Sequence, residues 1–111
     1  MAVIENENWP RKLLHQARRL IEISERIESR AEEDPRLFGF ASIKRSLARD
    51  NLCTAAILLE QTKPKTAKVL LKESVKQGDL ALEDYERHKG HYATNEEIQA
   101  LEDELWKDGL A

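Results

Sequence analysis

Residues 52–60 read Leu-Cys-Thr-Ala-Ala-Ile-Leu-Leu-Glu, the most apolar segment of the chain and the one without a free polar face. A bilayer crossing needs about 20 apolar residues, so a segment this short reads as a buried core helix. On a helical wheel Ala48, Leu52, Ala55 and Leu59 form one row and Ile43, Leu47 and Leu58 a second, with Cys53 and Ile57 off both. A helix apolar on several sides is contacted on several sides. The alanines at 48, 55 and 56 let neighbouring backbones approach closely. The expectation is a central helix covered by amphipathic ones.

The flanking sequence supplies those helices. Asn8-Trp9-Pro10 has the form of a helix start, with Asn8 as cap and proline in the first turn, and residues 1 to 8 precede it as a flexible N-terminus. The first helix runs to about Glu33, with Leu13, Ala17, Leu20, Ser24, Ile27 and Ala31 as its inward row and Leu14, Ile21 and Ile23 widening it. The small residues at 17, 24 and 31 favour packing within a bundle over a free-standing coiled coil. Asp34-Pro35 ends this helix, because the residue before proline is pushed out of helical geometry. A second helix follows through Gln61, with Gly39 and Asp50-Asn51 as its weakest points. Lys63-Pro64 opens a third, to His88, whose apolar face comprises Ala67, Leu70, Leu71, Ser74, Val75, Gly78, Ala81, Leu82 and Tyr85. Because that face stays in phase through Gly78, the glycine is expected inside one helix at a close crossing. Gly90 ends it, and Thr94 with Glu97 forms a capping box for a last helix over about 95–107. Short connections imply antiparallel neighbours, so the fold class is all-α: one antiparallel bundle of about four helices forming a single domain.

A chain of 111 residues with 41% apolar and 35% charged side chains has the composition of one helix-rich globular domain. The single cysteine, Cys53, has no intramolecular disulfide partner and is expected to pack as a small hydrophobe. Residues 1–8 show no basic stretch leading into an apolar run, so a cytoplasmic location is the default expectation, without membrane insertion.

Charge is segregated along the chain: net −2 over residues 1–34, +6 over 35–77 and −7 over 78–111. Lys65, Lys68, Lys72 and Lys76 line one face of the third helix, and Lys44, Arg45 and Arg49 make a similar stripe on the second. These seven are the candidate partner-binding residues. They would serve an acidic protein surface or nucleic acid. No aromatic residues interleave with them to stack bases, and the acidic end of the third helix would repel phosphate, so nucleic acid is the second choice. Trp9 and Trp106, near the chain ends, are candidate interface anchors. The opposed charges also permit a homodimer in which the basic face of one chain meets the acidic tail of another.

Candidate chemistry is sparse. Asp84, His88 and His91 form the only grouping with metal-ligand character, and the two histidines would serve a small helical nuclease or metal-dependent enzyme. Ser24, Ser42, Ser46 and Ser74 lack a strained nucleophile turn, and there is no glycine-rich phosphate loop. The sequence therefore reads as a non-catalytic interaction protein of adaptor or regulatory type, with no cofactor, acting on another protein or on itself.

Overall fold

The computed structural model describes residues 8–111, and all of the regular structure among them is helical. Helix α1 spans Asn8–Ala31, a 3-10 turn Pro35–Leu37, helix α2 Phe38–Leu59, helix α3 Pro64–His88 and helix α4 Asn95–Lys107. The all-α bundle expected from periodicity is what forms. The expected flexible lead lies outside the described residues except for Asn8, which has helical geometry within α1.

The boundaries follow local chemistry. Asp34 has left helical geometry (φ −136°), and its carboxylate accepts from the Arg36 N–H, starting the 3-10 turn that redirects the chain into α2. Pro64 opens α3, where its missing N–H leaves no helical bond unmade. Beyond α3, Gly90 adopts φ 91°, a left-handed conformation that other residues reach only with strain. The Thr94–Glu97 capping box is present in full: the Thr94 hydroxyl accepts from the Glu97 N–H and the Glu97 carboxylate from the Thr94 N–H. Neither Gly39 nor Asp50-Asn51 breaks α2.

Helix α2 lies between α1 and α3, as the central reading requires. Its buried row is Ala41, Ala48, Leu52, Ala55, Ala56 and Leu59, and three of these alanines have no exposed surface at all. With no side chain longer than a methyl along much of the seam, α1 and α3 come close to the α2 backbone. Two hydroxyls fasten α3 to it: Ser42 Oγ donates to the Ala81 carbonyl (2.7 Å) and Ser74 Oγ to the Arg49 carbonyl (3.0 Å). Helix α4 closes one end of the bundle. Leu101, Leu105 and Leu110 pack there with Ile27, Ala31, Leu37, Phe38 and Ala41. Arg36, bonded to both Asp34 and Glu97, ties the 3-10 turn to the start of α4.

The contact expected on several sides of α2 does not extend to its second apolar row. Ile43, Leu47, Ile57 and Leu58 are all exposed, because α1 and α3 occupy only one half of its circumference and nothing among the described residues covers the other. The two rows of α2 should therefore respond differently to mutation. Ala48→Leu, at a position with 0% exposure, should destabilise the fold by about 1–3 kcal/mol through overpacking. Leu47→Ala, one residue away, should cost less than about 0.5 kcal/mol in a dilute monomer, and urea titration of both variants measures the contrast.

Candidate interaction face

Helix α3 carries two arcs of opposite character, and the bundle uses the less apolar one. Turned inward are Ala67, Ser74, Gln77, Ala81 and Asp84. Turned outward are Leu71 (46% exposed), Val75 (64%), Leu82 (61%) and Tyr85 (47%). The sequence pattern places Leu71, Val75, Leu82 and Tyr85 on one apolar face together with Ala67, Leu70, Ser74, Gly78 and Ala81. In the structure the helix is rotated so that the small and polar residues meet α2 and the bulky ones stand free. An exposed leucine alone means little, but a contiguous run of large apolar side chains on one face marks an interaction surface.

The cause of that rotation is a buried polar cluster linking three helices. Arg45 on α2 is 6% exposed. Its guanidinium donates from Nη2 and Nε to Glu28 of α1 (2.6 and 3.1 Å) and from Nη1 to Gln77 Oε1 of α3 (2.8 Å). Gln77 Nε2 in turn donates to Glu73 (3.0 Å). Glu28 is also hydrogen-bonded to Asp84, whose Oδ2 accepts from no donor among the described residues. Burial, then the Glu28 hydrogen bond and the Glu28 charge, push the Asp84 carboxyl up to about 8, against the pull of Arg45 and Arg87. Asp84 is thus protonated at neutral pH and donates to Glu28. Burial opposes ionisation of Glu28 as well, but the hydrogen bonds from Asp84 and Arg45 outweigh it and hold Glu28 below the ordinary carboxylate range.

This cluster revises several expected site residues. Arg45 is no part of a surface stripe, since its guanidinium is consumed inside the bundle. Lys44 is half-buried, and Arg49 lies exposed, paired with Asp50 (3.1 Å) and draped over Gly78. The stripe expected on α2 therefore does not form. Gly78 does sit inside a continuous α3, but what approaches it is the Arg49 side chain: an added Cβ would lie 3.1 Å from Arg49 Cδ. Lys65, Lys68, Lys72 and Lys76 stand exposed along α3 as expected, and none of them enters an ion pair among the described residues. Asp84, His88 and His91 do not converge: Asp84 is buried against Glu28, His88 packs edge-on to Tyr92 (5.5 Å between centroids), and His91 is exposed. No group of three metal-ligating side chains occurs among the described residues. Three of the candidate serines are engaged structurally, with Ser24 Oγ donating to the Ile21 carbonyl and Ser42 and Ser74 fastening α3 to α2 as above.

Trp9 and Trp106 are 57% and 73% exposed, so neither seals the bundle. They also stand at opposite ends, since α4 docks beside the C-terminal end of α1 while Trp9 sits at its N-terminal end.

The outward arc of α3 borders a groove with α2. Ser42, Ser46 and Arg49 form one wall, and Gly78, Ala81, Leu82 and Tyr85 the other. At the α4 end the groove deepens, sharing Ser42 and Tyr85 with an apolar cavity of about 380 Å³ lined also by Gly39, Phe40, Ile43, His88, Tyr92 and Ile98. Gly39 gives the His88 ring close access to the α2 backbone: an added Cβ would stand 3.0 Å from the ring, which would have to shift to admit it. That volume accepts one or two large side chains at the edge of a longer contact.

Compared with protein-family models, with curated proteins and with solved structures, the chain matches none of them. No described helix is long and apolar enough to cross a membrane.

The polar cluster makes stability depend on pH with a definite sign. Asp84 keeps its proton to about pH 8 when folded but has an ordinary value of 3.8. Its contribution is therefore full below that ordinary value and is lost as pH rises through about 8. Glu28, shifted the opposite way, contributes above the ordinary carboxylate range and loses its contribution on acidification. Asp84→Asn should flatten the alkaline decline and exceed the wild type in stability by about 1 kcal/mol or more at pH 9. Urea unfolding at pH 6 and pH 9 checks this, and an undiminished alkaline decline in the variant contradicts it.

Proposed function

We propose that this chain is a cytoplasmic, non-catalytic interaction module that receives a helical protein segment along the open α2/α3 face. The observation that supports the reading is the run of exposed Leu71, Val75, Leu82 and Tyr85 on α3, a helix that buries Ser74, Gln77 and Asp84, beside a groove with α2 and its exposed Ile43. A rigid bundle holding an apolar strip with charged margins has the form of a helix-in-groove receptor, in which i, i+3, i+4 and i+7 anchors of the incoming helix fill successive depressions. The lysine row and the acids that follow it on α3 together form one margin of mixed charge, which favours a partner of mixed charge over a polyphosphate.

Affinity capture with nuclease-treated cell extract tests the reading. The wild type should retain a protein partner, a different chain or a second copy, and Ile43→Asp/Leu82→Asp should lose it while keeping its helical circular dichroism. Retention unaffected by the double substitution, or retention that depends on nucleic acid and disappears with Lys65→Glu/Lys68→Glu/Lys72→Glu, would overturn it.

A further inference from the structure

The outer face of α3 is divided at its midpoint. Lys68, Lys72 and Lys76 stand exposed before Gln77, and Asp79, Glu83 and Glu86 stand exposed after it. Both sets flank the same side of the open stripe of Leu71, Val75, Leu82 and Tyr85, since residues three and four apart share a helix face. None of the six enters an ion pair among the described residues. This arrangement restricts the partner geometry closely.

We infer that the occupant of the α2/α3 face is the α3 helix of a second copy of this chain, running antiparallel about a two-fold axis at the level of Gln77. This deepens the interaction reading above and rests on it. In an antiparallel pair with that axis, residues equally far from Gln77 oppose one another. Lys68 stands opposite the partner's Glu86 and, within one residue, Lys72 opposite the partner's Glu83 and Lys76 opposite the partner's Asp79. Leu71 and the partner's Leu82 meet by the same step. A two-fold axis perpendicular to both helices returns the charged flank of each to the same side of the pair, so the opposed charges are adjacent and not merely level. Symmetry then repeats every contact.

A parallel pair, whose two-fold axis runs along the helices, would carry the two charged flanks to opposite sides of the seam, so none of these ion pairs would form. Outside the six, the outermost step fails: Lys65 falls opposite the partner's Lys89, which lies beyond the end of α3. From Lys68 to Glu86 the seam extends about 27 Å at 1.5 Å per residue. Apolar burial along it supplies the affinity, while the exposed ion pairs, each weak alone, select the antiparallel orientation and make association sensitive to salt.

Charge exchange tests the pairing. The two variants are Lys68→Glu/Lys72→Glu/Lys76→Glu, acidic along the whole outer face, and Asp79→Lys/Glu83→Lys/Glu86→Lys, basic along it. All six positions are exposed, so helical content by circular dichroism should match the wild type. Light scattering with sedimentation at tens of micromolar and low salt should give a dimer for the wild type. Each variant alone should be at least ten-fold weaker in self-association, and an equimolar mixture should return to a dimer containing one of each. A monomeric wild type, unweakened variants, or a mixture that stays monomeric would overturn self-pairing. Such a result leaves the open face available to a different chain, whereas retention of the capture partner by Ile43→Asp/Leu82→Asp would overturn the face itself.

Discussion

The arrangement of the bundle depends on Arg45. Its guanidinium is held on one side by Glu28 of α1 and on the other by Gln77 of α3, so one side chain of α2 fixes the axial position of both neighbours. An alanine-lined seam gives close approach but little register, because methyl groups slide past one another at small cost. Directional bonds to a planar fork supply what the alanines lack. A buried ion pair contributes little net stability, while removal of one member leaves an uncompensated charge, so such a group acts mainly to penalise other arrangements. The protonated Asp84 belongs to the same device. It delivers a hydrogen bond to Glu28 where a second negative charge could not be accommodated.

Placing a polar cluster in the core has a consequence at the surface. To bring Gln77 and Asp84 to Arg45 and Glu28, α3 must turn its small and polar arc inward, and Leu71, Val75, Leu82 and Tyr85 are thereby carried out. Interior specificity and an exposed apolar stripe are two results of one rotation. The outer end of the α2/α3 groove, where Gly39 lets the His88 ring approach and Tyr92 folds against it, is then available as a deeper anchor site on the same face. The Arg87 guanidinium lies over the Phe38 ring, 5.4 Å from its centroid, which helps hold the end of α3 against the start of α2.

Fold class, helix order and most boundaries were legible in the sequence because they depend on local signals: Asp34-Pro35, Pro64, Gly90 and the Thr94–Glu97 box act within a few residues of themselves. The inward rows of α1 and α2 were legible from period, with Ala17, Ser24, Ile27 and Ala31 on one and Ala48, Leu52, Ala55 and Leu59 on the other. The rotation of α3 was not, because hydrophobic periodicity assumes that the apolar arc is the buried one. Arg45 has the sequence signature of a surface cation for a related reason. Its position in phase with Ala41, Ala48 and Leu52 was the available signal, and its charge masked it. Nothing local marks Gln77 or Asp84 as interior, since their burial depends on Glu28 and Arg45 arriving from two other helices.

The central claim is that the apolar arc of α3 is an interface left open by its own fold. Dilution of a methyl-labelled sample, followed by NMR from several hundred to a few micromolar, tests it most directly. Resonances of Leu71, Val75 and Leu82 should shift together with concentration, while those of Leu52, Leu59 and Leu105 inside the bundle stay fixed. Concentration dependence confined to the α4 end, or absent everywhere, would contradict it.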